Sequence, residues 1–545
     1  MAAKPKRTKQ PSESRSDAPL AVITCGWSLA ELPSPQHRAG LAGLVMLVDY
    51  TRRFPLPDGA VLESVHRDDV RFDLRLNQSG LRALFDRVYG AGIEERAYPK
   101  PWDNKTPIRT EVRLKTGKNK KTKETTVYIY GLVSPHGGPL ADWSPPDDNG
   151  LWIKLWRNWL FDVVRVQPAT KYPYDHRAGI RSQETPETSD AWEMLLKGGT
   201  RGLANHWMLG SMDVNAEMVP FEDMGRNFFL LHFWPFSVHL FVPEFIDADG
   251  ERQQDGFAIC IPDVSRLDQF VRRHIQVLQQ RRGEAGGFRP RQALIELPDA
   301  AALQAEEWFV AEIAKGVDQN DAPATAGFQV VHAAKEGNSV RIRSNRIIAP
   351  TRDQRQHAKV INALGAHLTK RQVLENILAG TPWWSGFDRI CATWSKYRTI
   401  LDKAFCYDVR TLFERYHPKD RTMSNSPSST NQSHGIESLV LRIVQGWLRG
   451  RMQSKHQIDM KTIWELAKED SRREDAEKKN GKLATEAFLA ARSRPGREFS
   501  RWFTATLCSV NHYLSDTDFV TIAKALEERP EHVRTLTLLA LSARG

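Results

Sequence analysis

The sequence predicts an α+β chain: a mixed α/β N-terminal body followed by an all-α C-terminal helical bundle. Three observations predict it. From Ala21 to about Pro350, alternating apolar strands interleave with helical periods. Between Thr422 and Gly435 the chain is Ser/Asn/Pro/Thr/Gln, too polar to offset its ordering entropy. Beyond it apolar residues recur only at helical spacing. The expected organisation is a disordered basic tail (1–20), a body (21–422), a flexible linker (423–435) and the bundle (436–545).

Leu41–Arg53 is apolar at Leu41, Leu44, Val45 and Val48, a helical period. Asp68–Leu76 alternates, with Val70, Phe72, Leu74 and Leu76 on one face of a strand. A helix follows and stops at Gly90 and Gly92. Thr110–Gly131 reads as two β arms around a polar tip containing Gly117, a long-tipped hairpin. Trp152, Trp156 and Trp159 fall at helical spacing, more a core stripe than a stacking platform, and "QPATKYPY" reads as a proline-stiffened loop. Asn227–Phe245 is almost wholly apolar, and Pro235 splits it into two buried strands or a strand–bend–strand. Ser265–Arg282 is a helix with Leu267, Phe270, Val271, Ile275 and Leu278 inward.

In the bundle, Ile436, Leu439, Val440, Ile443, Val444, Trp447 and Leu448 mark one helical face. Phe499, Trp502, Phe503, Thr506 and Val510 mark another after Pro495-Gly496. Ser515 or Asp516 caps a helix that stops at Pro530. Four or five helices with complete apolar faces are expected to fold alone.

A chain of 545 residues supports two to four domains at roughly 100–200 residues each. No apolar run approaches a membrane span, and the N-terminus lacks the apolar stretch of a secretory signal. The five cysteines, Cys25, Cys260, Cys391, Cys406 and Cys508, are odd in number and form no C-x-x-C, which fits reduced thiols in the cytoplasm. The net charge of +11 favours a polyanionic partner without naming one.

Nucleotide-binding, zinc-protease, hydrolase and EF-hand signatures are absent. Asp68-Asp69 and Asp147-Asp148 could hold a metal in a nuclease, but read better as turn and strand-edge acids, so no catalytic residue, cofactor or metal is assigned. Asn511 and His512 lie side by side in the stretch 508–516, where a core or surface histidine is expected rather than a nuclease site.

Four cationic clusters point instead to nucleic acid. Lys115, Lys118, Asn119, Lys120, Lys121 and Lys123 crowd the hairpin tip, with Lys105, Arg109 and Arg113 flanking it. Such an arm can track phosphates and release counterions; a solvated loop is the plain alternative. Arg341, Arg343, Arg346, Arg352, Arg355 and Lys359 form a second run in which only Asp353 is acidic, and the guanidinium fork suits phosphate. Arg281–Arg291, with Arg282 and Arg289, is a basic loop. Arg157 and Arg165 lie off the tryptophan stripe, and Lys171 and Tyr172 put a cation beside an aromatic ring, suited to unpaired bases, although core-edge packing is the favoured reading of the tyrosines.

Three blocks, "SPQHRAGLAGLVMLVDY" (Ser34–Tyr50), "LWRNWLFDVVRVQPATKYPY" (Leu155–Tyr174) and "NAEMVPFEDMGRNFFLLHFWPFSVHLFVPE" (Asn215–Glu244), resemble the large subunit of type I CRISPR effector (Cascade) complexes, Myxococcus-type branch. The resemblance covers most of residues 20–420. It implies a non-enzymatic subunit that contacts the guide RNA's 5′ end region and binds duplex DNA at the PAM, the short motif beside the target. It also implies support of R-loop formation and docking of a helicase–nuclease or transposition partner. The implied neighbours are backbone and guide-end subunits and helical small subunits. In several such systems an internal start yields the small subunit separately, a role open to Met423 as much as that of an ordinary linker methionine. A stand-alone DNA-binding regulator and a metal-dependent nuclease are the rival readings.

Overall fold

The structure, a computed structural model, describes residues 21–103, 106–116, 122–143, 150–164, 168–183, 186–203, 208–210, 219, 221–247, 251–315, 323–337, 339–349, 363–416, 435–464, 470–510 and 514–543. The expected tail, and all of the expected linker except Gly435, lie outside them. The chain divides into two compact units. The first takes residues 1–242, 255–294 and 307–349, and the second takes 243–254, 295–306 and 350–545.

The first unit opens with β1 (Val22–Ser28), α1 (Pro35–Thr51), β2 (Leu62–Arg67), β3 (Arg71–Asn77) and α2 (Gln78–Val88). The strands form an antiparallel sheet in the order β1–β3–β2. Phe72, Leu74 and Leu76 are buried on one face of β3, as the alternation requires. Val70 departs from it and is 57% exposed. Asp68 explains why: its Oδ1 accepts from the Val70 and Arg71 N–H groups at 2.8 and 2.7 Å, turning the chain before the strand begins.

Helix α1 starts at a Ser34 cap with Pro35 in its first turn. Every residue in it except Arg38 and Asp49 is buried, so it is a central helix and not the one-faced helix its period suggests. A Cβ on Gly40 would come within 2.4 Å of the Leu230 carbonyl oxygen, and one on Gly43 within 2.2 Å of that of Phe233. Two absent side chains thus let α1 touch the backbone of the aromatic segment.

That segment corrects the expectation of paired strands. Gly225–Leu230 is α-helical, Trp234–Phe236 is a 3₁₀ turn, and only His239–Ile246 is a strand. Phe228, Phe229, Leu230, Leu231, Phe233, Trp234 and Phe236 are all buried, and a wholly apolar run carries no period to separate helix from strand. Phe257–Val264 pairs antiparallel with His239–Ile246 on one side and Thr325–Glu336 on the other, and Ser339–Ile348 pairs beyond. The helix Leu267–Gln279 buries Leu267, Phe270, Val271 and Leu278; Ile275 is half-buried.

The second unit is helical after residue 363 among the described residues. Its core joins Val373, Phe387, Phe405, Val409, Leu412 and Phe413 to Leu439, Val440, Ile443, Val444, Trp447, Phe488, Phe499 and Phe503. Pro530–Ala543, buried at every position from Thr535 to Ala543, packs against the helices Lys403–Tyr416, Ile436–His456 and Ser471–Arg492. The boundary expected at 422–436 therefore falls inside this unit, because apolar faces before and after it share one core. Ser515 caps Asp516–Glu528 through a reciprocal box with Asp518. All five cysteines are free. No described helix is long and apolar enough to cross a membrane.

Candidate nucleic-acid interface

The arm stands on β4 (Ala91–Tyr98), β5 (Arg109–Thr116) and β6 (Thr122–Pro135), ordered β4–β6–β5. Residues two apart share a face, so Arg109, Glu111 and Arg113 align. Glu95, opposite Gly131 on β6, joins them. Arg109 reaches Glu95 at 2.7 Å and Glu111 at 2.9 Å, and Arg113 reaches Glu111 at 2.9 Å. Hydrogen bonds from Arg109 and Arg113 hold the Glu111 carboxyl below its ordinary pKa. The result is a compensated charge ladder, not a set of free cations.

The register sets Lys115 directly opposite Lys123. Like charges in opposed positions destabilise a strand pair. No carboxylate occurs in the sequence between Glu111 and Glu124. Lys118, Asn119, Lys120 and Lys121, and Lys105 at the root, lie outside the described residues. At the root Trp102 stacks on Tyr130, with ring centroids 4.7 Å apart, and the Trp102 backbone N–H donates to the Tyr130 hydroxyl at 2.8 Å.

The second cluster sits on Ser339–Ile348. Arg343 is the extra residue of a β-bulge, since Ser344 pairs with His332 and Ile342 with Ala333. It bonds Asp255 and lies 3.4 Å from Glu336; Arg341 lies 3.6 Å from Glu336. These acids come from the strand partner and from a segment about ninety residues away, so a reading of the run alone saw only Asp353. Arg346 is exposed; Arg352 and Arg355 lie outside the described residues.

The third cluster is a small hairpin, Ala285–Gly286 against Arg289–Pro290, rather than a featureless loop. The Arg289 guanidinium lies 4.8 Å from the Phe288 ring and 5.5 Å from that of Phe257, and burial lowers its pKa. Arg282 is exposed, and its carbonyl accepts from Trp152 Nε1 at 3.2 Å.

In the fourth cluster the tryptophans are core: Trp152, Trp156 and Trp159 are all buried on Leu151–Trp159. Arg157 donates to the Pro135 carbonyl at 2.6 Å, so it ties this helix to β6. The expected loop is instead the helix Pro168–Arg177, carrying Pro173 inside it. Tyr174 packs edge-on against Tyr89 at 5.2 Å, and this core contact overrides the prolines. Lys171 lies in the same helix. Tyr172 is 41% exposed, with the Arg181 guanidinium 4.2 Å from its ring. Arg165 lies outside the described residues.

The acidic pair Asp68-Asp69 is divided between tasks. Asp68 makes its turn, while Asp69 takes Arg266 at 2.9 Å and the Gln269 N–H at 3.0 Å. Asp147 and Asp148 lie outside the described residues, as do Asn511–Tyr513 of the stretch 508–516. Among the described residues no group of three or more His, Cys, Asp or Glu could hold a metal.

One arrangement had no signal in the sequence. His37 Nδ1 lies 2.7 Å from Ser34 Oγ, and its Nε2 lies 2.7 Å from Asp223. Ser34 also accepts the His37 backbone N–H, so this contact caps α1. Further inside, burial pushes His232 and His274 down to about 3 and His239 well below its ordinary value, leaving three neutral imidazoles in an aromatic core.

Residues 61–319 match the family model of the type I-B CRISPR Cas8b N-terminal domain, and residues 325–544 that of the type I-B CRISPR Cas8b C-terminal domain. No curated protein matches the chain.

Proposed function

The chain belongs to the Cas8b family of type I-B CRISPR Cascade large subunits, and on that premise we propose that it recognises a PAM in duplex DNA and supports guide-directed strand opening. Base pairing with the guide RNA reads the target, while the protein supplies backbone contacts and reads the short motif. In this reading it has no active site of its own and docks a helicase–nuclease or a transposition partner. Backbone, guide-end and helical small subunits complete the complex. A cytoplasmic location and the Myxococcus-type branch belong to the same proposal.

The observation that carries it is the cross-strand pair Lys115–Lys123 above a neutralised ladder. Between Glu111 and Glu124 the sequence carries six basic residues and no carboxylate, a charge density that a polyanion offsets. Each phosphate engaged also releases a counterion. The ladder keeps the root near neutral, so the positive field concentrates at the tip.

The test is the triple substitution Lys118→Ala, Lys120→Ala, Lys121→Ala in the assembled complex. Duplex affinity should fall by on the order of 1 kcal/mol per engaged phosphate at low salt, with assembly intact. Unchanged binding across a salt series would return the tip to a solvated loop. The purified subunit with Mg²⁺ should leave DNA uncut; cleavage lost on Asp147→Ala with Asp148→Ala would establish the nuclease reading instead.

A further inference from the structure

The helical unit carries a pocket of about 250 Å³ that none of the cationic clusters includes. Three helices build it. Ile436–His456 contributes Trp447, Arg451 and Lys455, four residues apart and so on one face. Ser471–Arg492 contributes Glu486 and Ala490, again one turn apart. Trp502 closes the third side at the end of Gly496–Trp502.

The chemistry of the lining is specific. Trp447 is 5% exposed and forms a fixed wall, whereas Trp502 is half-buried and keeps part of its ring open. Ala490 lines the same pocket with a side chain that fills little of it. Arg451 and Lys455 are exposed at the rim, with the Arg451 guanidinium 6.0 Å from the Trp447 ring. Glu486 is the one carboxylate of the lining and is exposed. A pocket lined by two indoles suits a planar aromatic group. Two cations at its mouth suit an anion joined to that group, and a carboxylate can accept from an exocyclic amine.

We infer that this pocket holds the base of one unpaired nucleotide, with Arg451 and Lys455 on the adjoining phosphates. The inference rests on the nucleic-acid-binding reading above and locates a contact within it. A planar, amine-bearing, phosphate-linked group meets all the lining features together. An aromatic side chain of a partner protein would use the indoles and leave the two cations without an anion. Because the site takes the base as well as the backbone, it discriminates unpaired strands from duplex, whose bases are stacked and closed.

The experiment uses the full chain. Fluorescence anisotropy gives affinities for a short single-stranded DNA, the same oligomer with abasic sites, a single-stranded RNA and a duplex. Ala490→Trp fills the pocket. It should weaken single-strand binding roughly 5- to 150-fold, the affinity of one stacked base, while abasic and duplex affinities stay within about twofold. A loss for DNA marks a displaced strand as the source, and a loss for RNA marks the guide; either supports the site.

Arg451→Gln with Lys455→Gln changes only exposed side chains. It should weaken the intact and abasic single strands alike, and its failure to do so overturns the inference even if Ala490→Trp does not fold. Unchanged single-strand affinity in Ala490→Trp overturns it as well. So does retained affinity with lost recruitment of a partner protein, which reassigns the pocket to that protein. A wild-type chain that binds none of the four probes refutes the broader functional reading. A chain that binds duplex but is indifferent to the pocket variants refutes the pocket alone.

Discussion

Replacing Glu111 with Gln turns the charge ladder into a measurable source of DNA affinity. Glu111 is the carboxylate shared by Arg109 and Arg113, each at 2.9 Å. The substitution keeps the side chain's shape and removes its charge, so two guanidiniums lose an anionic partner at once. Arg109 keeps Glu95, so Arg113 is the guanidinium left without a carboxylate, and if the arm lies along nucleic acid it can take a phosphate. Each phosphate gained steepens the log K against log salt plot by about 0.9. Over a fourfold change in salt, from about 50 to 200 mM, that is about 3.5-fold. Glu111→Gln should therefore bind duplex more tightly than wild type at the low-salt end, and the two should converge as salt rises. Anisotropy titrations at several salt concentrations give both slopes. Thermal melting should barely move, since exposed ion pairs contribute little to stability. Parallel salt plots would place the ladder away from the phosphates. Weaker binding at every salt concentration would mean that the arm needs its ladder to hold its shape.

The buried imidazoles make the first unit acid-sensitive. His232 and His274 are pushed to about 3 in the folded chain against an ordinary value near 6.5, so the unfolded chain binds more protons between those limits. Their contribution is complete above pH ~6.5 and is lost as pH falls, by about 2 kcal/mol per histidine at pH 5. Urea unfolding at pH 7.5 and pH 5, followed by tryptophan fluorescence, should show that loss; equal midpoints would disprove it. In the second unit, a fragment starting at Met423 lacks Val373, Phe387, Phe405, Val409, Leu412 and Phe413, each burial being worth about 1.5–3 kcal/mol. A fragment of residues 363–545 should therefore melt well above one of residues 423–545. Equal melting temperatures would mean that the last helices close a core of their own. Met423→Leu in the gene is the matching control: complexes that keep all their small subunits do not start translation there.

What the sequence revealed follows from how local each cause is. β3, α2, both arms of the β5–β6 hairpin and the capped helix at Ser515 are set by period, turn and cap chemistry within a few residues, and each forms, β3 starting three residues later than expected, at Arg71. Gly225–Phe236 is different, because an unbroken apolar run acquires its conformation from the partners that cover it. Pro168–Arg177 is helical because Tyr174 has Tyr89 to pack against, a contact across some eighty residues. The same limit applies to the site. Lysine density at the arm's tip is visible in one dimension. That Arg109, Arg341 and Arg343 hold Glu95, Glu336 and Asp255 is not, because those acids reach them only through strand pairing and folding. The Trp447–Trp502 pocket is a third case: each tryptophan reads as part of its own helix's apolar face, and the pocket they line exists only once three helices meet.

The glycine-lined helix α1 also has a consequence in time. It leaves the ribosome before several of the segments it packs on, Gly225–Leu230, Trp234–Phe236 and the strands Phe257–Val264 and Thr325–Glu336. At 5–20 residues per second, roughly 15 to 60 s pass between the end of α1 and the last of those strands. α2 follows at once, but for that interval a helix buried on nearly every side waits for the rest of its cover. The nascent chain is thus a natural client for chaperones that hold apolar segments. Slowing synthesis should lower the yield of folded protein rather than raise it.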